Sequence, residues 1–204
     1  MATNIAPNTH NLLHINPLHR IYEETHATLL VRVVAWTTQT GNRCMSETIT
    51  YRTIDPKEAP AVSALILESF NEFIRREFSE LGISTFHKYV LPDAIAERVQ
   101  RDHFVVVADT GNVLAGMIEI RQNNHVGLLF VGKSFQKRGI ARELLSYALG
   151  MARTSQPNLE RVTVNSSRYG VAAYERLGFC QTGPERIVDG IVFIPMALQF
   201  TDEA

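Results

Sequence analysis

From residue 49 onward the apolar positions change period several times, and each change marks an element. Over 49–54, ITYRTI, apolar and polar residues alternate, which predicts a half-buried strand. Val62, Leu65, Ile66, Leu67, Phe70, Phe73 and Ile74 then recur at the spacing of one helical face, and Gly82 ends that region. A second helix is predicted over 93–101, after Pro92. Two apolar runs, 103–109 and 113–120, flank Thr110-Gly111-Asn112 and read as a hairpin. Next come a strand over 125–131, a helix over about 138–153, a strand over 161–165, a short helix ending at Gly178, and closing strands near 179–182 and 190–199. The order β-α-α-β-β-β-α-β-α-β-β specifies a mixed α/β single domain, with a meander first and crossover helices later. It lacks the strict alternation and the glycine fingerprint of a Rossmann domain.

Composition narrows the function classes. With 204 residues, 45% hydrophobic and 20% charged, the chain is long enough to bury a substantial core as one domain. A net charge of -1 argues against a coat for nucleic acid or an anionic membrane, so neither partner is expected. No run approaches the roughly 20 apolar residues of a membrane span. The two cysteines, Cys44 and Cys180, make neither a disulfide framework nor a metal site, and a reducing, cytoplasmic location is the expectation.

Residues 1–44 differ from the rest: they carry Arg20, Arg32, Arg43, Glu23 and Glu24 as their only charged side chains besides histidine. Their hydrophobic run, 28–36, is broken by Arg32, unlike a signal peptide. His10 and His14 have helical ligand spacing, but Pro7 and Pro17 flank them and no metal is expected. The segment is read as an N-terminal extension, disordered or a mis-assigned start upstream of Met45, with the folded domain over 45–204.

The helix after 125–131 starts badly. Gln136, Lys137, Arg138 and Gly139 lead into it, with no Asp, Asn, Ser or Thr directly before the first turn. Two cations stand at the positive end of the helix dipole, which points either to an exposed basic turn or to a bound anion such as phosphate. One phosphate motif can be set aside. Gly127 to Ser134 matches G-x-x-x-x-G-K-[ST] formally, but its variable positions Leu128, Leu129, Phe130 and Val131 read as a buried strand, so a P-loop nucleotide hydrolase is only a remote alternative.

Strand and helix together fit another pattern. Gln136-Lys137-Arg138-Gly139-Ile140-Ala141, directly after LLFV, resembles the pyrophosphate signature Gln/Arg-x-x-Gly-x-Gly/Ala of the GNAT superfamily of N-acetyltransferases. A second block, NSSRYGVAAYERLGF over 165–179, is similar to the family's other signature. The resemblance implies a GNAT-like domain: a central, mostly antiparallel sheet, helices on both faces, and a splayed strand pair that holds acetyl-CoA as co-substrate. It implies that backbone N–H groups from Lys137 to Arg142 (Lys137, Arg138, Gly139, Ile140, Ala141, Arg142) hold the pyrophosphate, that Leu129, Phe130 and Val131 pair with the pantetheine arm, and that Asn165 reaches that arm. Tyr174 matches the family's frequent general acid, and a phenol stays protonated at neutral pH. Packing on the face of Val171 and Leu177 is its plainer role.

Glu119 and His125 are the candidate bases, with water alone as the other route. Ser167 departs from the Asn usual in relatives but still serves as a helix cap. The resemblance puts acceptor choice in 67–90, where Glu68 and Glu72 would suit a cationic amine unless they form a solvated face with Arg75 and Arg76. The function so implied is acetyl transfer to a primary amine of a small molecule or protein, by direct attack in a ternary complex, and a homodimer is compatible with it. A non-catalytic acetyl-CoA sensor is the alternative.

Overall fold

The computed structural model describes residues 48–101 and 103–200. The expectations for residues 1–44, among them His10, His14, Cys44 and the domain start at Met45, lie outside the described residues. Strand β1 (Thr50–Thr53) leads to three helices, α1 (Ala59–Phe73), α2 (Glu80–Tyr89) and α3 (Pro92–Arg101). A meander follows, of β2 (His103–Asp109), β3 (Leu114–Arg121) and β4 (His125–Val131). Helix α4 (Ile140–Ser155), strand β5 (Arg161–Ser166) and helix α5 (Val171–Arg176) come next, and β6 (Cys180–Gln181), β7 (Arg186–Val188) and β8 (Ile191–Gln199) close the chain.

The strands form one sheet in the order β1-β2-β3-β4-β5-β8-β6, with β7 on β8. Every pair is antiparallel except β4 with β5. Helices cover both faces. α1, α2 and α3 pack on the face that carries Val105, Val107, Met117 and Leu128. α4 buries Ile140, Leu144, Leu145, Ala148 and Ala152 on the other, where Leu144 and Ile140 reach over Gly116 of β3. Residues 103–108 of β2 are all buried, which explains why that run shows no alternation.

Two elements differ from the pattern read in the sequence. Gly82 does not end a helical region but lies inside α2, the second of three helices. The signals for α2 are present: Ser79 caps it, its Oγ accepting from Gly82 N–H at 3.2 Å, Glu80 opens it, and His87 and Lys88 close it. Gly82 is there for close approach. A Cβ on it would stand 2.2 Å from the Gly190 carbonyl oxygen. The second difference is β7, which pairs with β8 through Asp189-Gly190, both at positive φ, 49° and 77°. That is the two-residue hairpin turn that an Asp-Gly pair favours.

Candidate active site

The cleft begins with a bulge. Glu119 of β3 faces Leu128 while Ile120 faces Val126, so Gly127 is an extra residue in β4. Before the bulge β4 pairs with β5 at only two positions, His125 with Thr163 and Val126 with Val164. Beyond it the two strands part, while β5 stays paired with β8 as far as Ser166. Gly132 N–H donates to Ala115 of the β3 side at 2.9 Å. Main-chain polar groups alternate along a strand, so Phe130 also turns toward β3, and Leu129 and Val131 turn theirs toward the gap. The Val131 carbonyl accepts from Gln136 Nε2 at 3.3 Å, which agrees with that direction.

A cavity of about 720 Å³ fills the parting. β4 contributes Leu129, Phe130 and Val131 to its wall. The loop contributes Gln136, Lys137 and Gly139, and the first turn of α4 contributes Ile140, Ala141 and Arg142. Asn165 of β5 and Tyr174 of α5 face them. The structure therefore brings most of the residues singled out in the sequence into one wall. Arg138, His125 and Glu119 are outside that lining.

At the start of α4, Lys137 and Gly139 both adopt left-handed backbone, φ 60° and 80°. No side chain caps the helix. The N–H groups of Lys137, Gly139, Ile140 and Ala141 have no acceptor among the described residues. A ligand with negative charge is the natural partner for such a cluster at a helix N-terminus. The Arg142 N–H is not part of it, since it donates to the Gly139 carbonyl at 3.0 Å, although Arg142 lines the cavity. Gly139 is required by its φ, because a Cβ there meets nothing within 4 Å. Arg138 lays its guanidinium over the Phe135 ring at 5.3 Å.

Tyr174 is buried, its ring edge-on to Phe179 at 5.3 Å. Burial pushes its phenol pKa well above the ordinary value. Its hydroxyl has no hydrogen-bond partner among the described residues. The residue is one of those that line the cavity, with 8% of its surface exposed.

The two base candidates are not among the lining residues, although Glu119 lies behind Gly127 and Leu128, which are. Glu119 is 1% exposed, and its Oε1 accepts from Arg98 Nε at 2.9 Å and from the Tyr89 hydroxyl at 3.1 Å and lies 2.6 Å from His103 Nδ1. Its Oε2 accepts from Arg98 at 3.0 Å. Burial works to raise its pKa, but the bonds to His103 and Arg98 outweigh it and hold the carboxyl below the usual range. His125 bonds Thr163 Oγ1 through Nδ1 at 2.8 Å, where β4 and β5 are still joined. Burial, and then the charge of Arg121, push its pKa down to about 4.

Several lining residues were read in the sequence as a helical face or as part of 67–90, or not at all, and none as a named site residue. Phe70, Phe73, Phe78 and Phe86 of the α1–α2 region all reach the cavity, and so does Tyr169. Tyr169 stacks on Phe73 at 4.9 Å, and its hydroxyl stands 3.5 Å from Gln136 Oε1. The Glu77 carboxylate accepts from the N–H groups of Arg168 and Tyr169 at 2.8 and 2.9 Å. An aromatic residue directly before the tyrosine helix was the available signal for Tyr169. Ser167 is not the cap of α5: the helix opens from Gly170 with no side-chain cap, and the Ser167 Oγ accepts from Gly170 N–H at 3.1 Å in the turn before it. The acids expected near the acceptor point away: Glu68 and Glu72 are exposed, and Glu72 pairs with Lys133 rather than with Arg75 or Arg76. The formal P-loop residues are strand β4 and a 3₁₀ turn, Lys133–Phe135, and do not wrap a cavity as a loop.

Comparison with known proteins agrees with this geometry. Residues 74–200 match the family model described as an acetyltransferase (GNAT) domain. A GCN5-related N-acetyltransferase from Rhodopseudomonas palustris superposes with TM-score 0.63 at 15% identity, covering 78% of this chain and 100% of its own. The PaiA N-acetyltransferase of Thermoplasma acidophilum, solved in complex with coenzyme A, gives 0.61 at 18% identity, covering 74% and 99%. A GNAT-family acetyltransferase from Streptococcus pneumoniae gives 0.55 at 17%, covering 74% and 99%. No curated protein matches the chain. At such identities the solved structures establish the fold alone. Among the described residues no helix is long and apolar enough to cross a membrane.

Proposed function

The chain belongs to the GNAT family of acetyltransferases, and from that membership we propose that its cleft moves an acetyl group from acetyl-CoA to a primary amine, with both substrates bound together. The observation that carries this reading is the set of unpartnered N–H groups of Lys137, Gly139, Ile140 and Ala141 beside the gap between β4 and β5. The residues present fit the co-substrate. Those N–H groups and the side chains of Lys137 and Arg142 would hold its pyrophosphate. The main-chain groups of Leu129 and the N–H of Val131 would pair with its extended pantetheine arm, and one of those N–H groups would be a donor for the thioester oxygen. Acetyl-CoA supplies an activated acetyl group on sulfur.

Tyr174 is the proton donor to the leaving sulfur in this proposal. Its raised pKa keeps the proton on oxygen across the neutral range, and a phenol in the cavity wall would deliver it. Glu119 and His125 receive no role as bases here. The first is fully engaged in an ion-pair cluster, and the second is bonded where the strands remain closed. The deciding experiment is Tyr174→Phe. Acetyl transfer should fall by about 100-fold or more in kcat, while the thermal stabilisation given by acetyl-CoA stays as in the wild type. Turnover that survives the substitution refutes the assignment. Stabilisation by acetyl-CoA with no transfer to any amine in the wild type itself would favour a sensor instead.

A further inference from the structure

The cavity wall is chemically one-sided. Among the described residues that line it, the charged ones are Lys137, Arg142 and Arg176, all cations, and none is Asp, Glu or His. From α1, α2 and the segment between them come Phe70, Phe73, Ile74, Phe78 and Phe86, joined by Tyr169. These rings form two groups, in which Phe70 and Phe86, 0% and 9% exposed, back the wall from the core while the half-buried Phe73 and Phe78 and the exposed Tyr169 present its surface. Phe70 stacks on Phe86 at 4.2 Å, Phe78 stands edge-on to both at 5.4 and 6.1 Å, and Phe73 stacks on Tyr169 at 4.9 Å.

We propose that the acceptor is a small primary amine carried on a flat apolar body, an arylalkylamine, held against this aromatic wall. The inference rests on the acetyltransferase reading of the cleft and adds the class of acceptor. A polyamine or other polycation needs carboxylates to replace its lost hydration, and the wall offers none. A protein segment needs an open groove. Here the end of α1 and the segment before α5 touch through Phe73 and Tyr169, and the Glu77 carboxylate ties them through two main-chain N–H groups.

The same wall accounts for the lack of a base. An ammonium ion loses water in this chamber without gaining a counter-charge, so the free amine is the favoured bound form. The neutral nitrogen then attacks the thioester carbon. An N–C bond forms, the C–S bond breaks, the nitrogen releases one proton to water, and the sulfur takes one, giving the acetamide and the free thiol.

The test measures kcat/KM by release of free CoA for 2-phenylethylamine and tryptamine, against spermidine and a lysine-containing peptide, with acetyl-CoA binding followed separately by thermal shift. The two arylalkylamines should exceed both competitors by at least about tenfold, the size of an aromatic contact. Phe73→Ser should raise KM for 2-phenylethylamine about tenfold and leave the acetyl-CoA shift unchanged, and Phe73→Leu, which keeps apolar volume, should fall between. Preference for spermidine or the peptide overturns the proposal while the acetyltransferase reading stands. So does acetyl-CoA binding without any arylalkylamine product. Absence of both the acetyl-CoA shift and any acetylated amine overturns both.

Discussion

Among the described residues two glycines sit inside helices, and the same substitution should move stability in opposite directions at each. In α2, a Cβ on Gly82 would lie 2.2 Å from the Gly190 carbonyl oxygen and 2.5 Å from its carbon. Restoring an ordinary contact of 3.4 Å requires a displacement of 3.4 − 2.2 = 1.2 Å between α2 and the β7–β8 turn. That turn has little freedom, since Asp189 and Gly190 both hold positive φ and the Gly190 carbonyl accepts from Ser79 N–H at 3.1 Å. Gly82→Ala gains about 1 kcal/mol of helix propensity. Against this stand about 1–3 kcal/mol of overpacking and about 1 kcal/mol for the Ser79 bond that the displacement stretches. The net expectation is a loss of about 2 kcal/mol, or about 4–8 °C in Tm for a domain of this size.

In α4, a Cβ on Gly150 meets nothing within 4 Å, and the residue is exposed. Gly150→Ala keeps only the propensity gain, so Tm should rise by about 2–4 °C. Thermal melts followed by circular dichroism, with urea titrations to check the slope, measure both. A Gly82→Ala protein as stable as the wild type refutes the close contact. A matching loss at Gly150 would show that the argument from space is wrong.

Two further outcomes follow from the buried charges. His125 titrates near 6.5 when unfolded but about 4 when folded, so between those values the unfolded chain binds more protons. Stability should therefore fall as pH drops from 6.5 to about 4, and His125→Gln should flatten that slope in urea melts run across the window; an unchanged slope removes His125 as the cause. Glu119 is held low by His103 and Arg98 despite its burial, so its contribution is present above the ordinary carboxyl range and is lost on acidification through its lower folded value. Glu119→Gln leaves Arg98, with a side chain 15% exposed, without its counter-charge, and should cost about 3–5 kcal/mol. A variant with wild-type melting but collapsed turnover would instead return Glu119 to the role of base.

The elements with the longest unbroken pattern were the most legible. Strand β4 and helix α4 stand where the run of 125–131 and the periodicity from Ile140 put them. The loop between them was legible because an uncapped, cationic helix start conflicts with its own dipole. What stayed hidden was decided between elements rather than within them. Gly82 reads as a breaker in one dimension, and only the approach of Gly190 from 108 residues downstream explains it. Glu119 reads as a carboxylate on a strand beside the cleft, and nothing local says that Arg98, His103 and Tyr89 converge on it. Four rings of the aromatic wall fall within 67–90, the window assigned to acceptor choice, but nothing local brings Tyr169 from before α5 to join them.

The extra residue at Gly127 has a consequence for how the sheet is completed. Ile120 and Val126 face each other before it, and Glu119 and Leu128 after it, so the bulge resets the phase of β4 halfway along its length. One strand thereby serves two structures. Its first half is bonded to β5 and closes the sheet, while Leu129 and Val131 in its second half have no strand partner on that side, only the Gln136 side chain on the Val131 carbonyl, and leave an edge in the interior of an otherwise continuous ladder. Edges usually lie at the rim of a sheet, where any chain can add to them. Here the edge is internal and narrow, so only a slender extended molecule can take the place of the missing strand. Binding on the proposed reading is then a form of sheet completion, and the folded protein is left one strand short so that its substrate can supply the remainder.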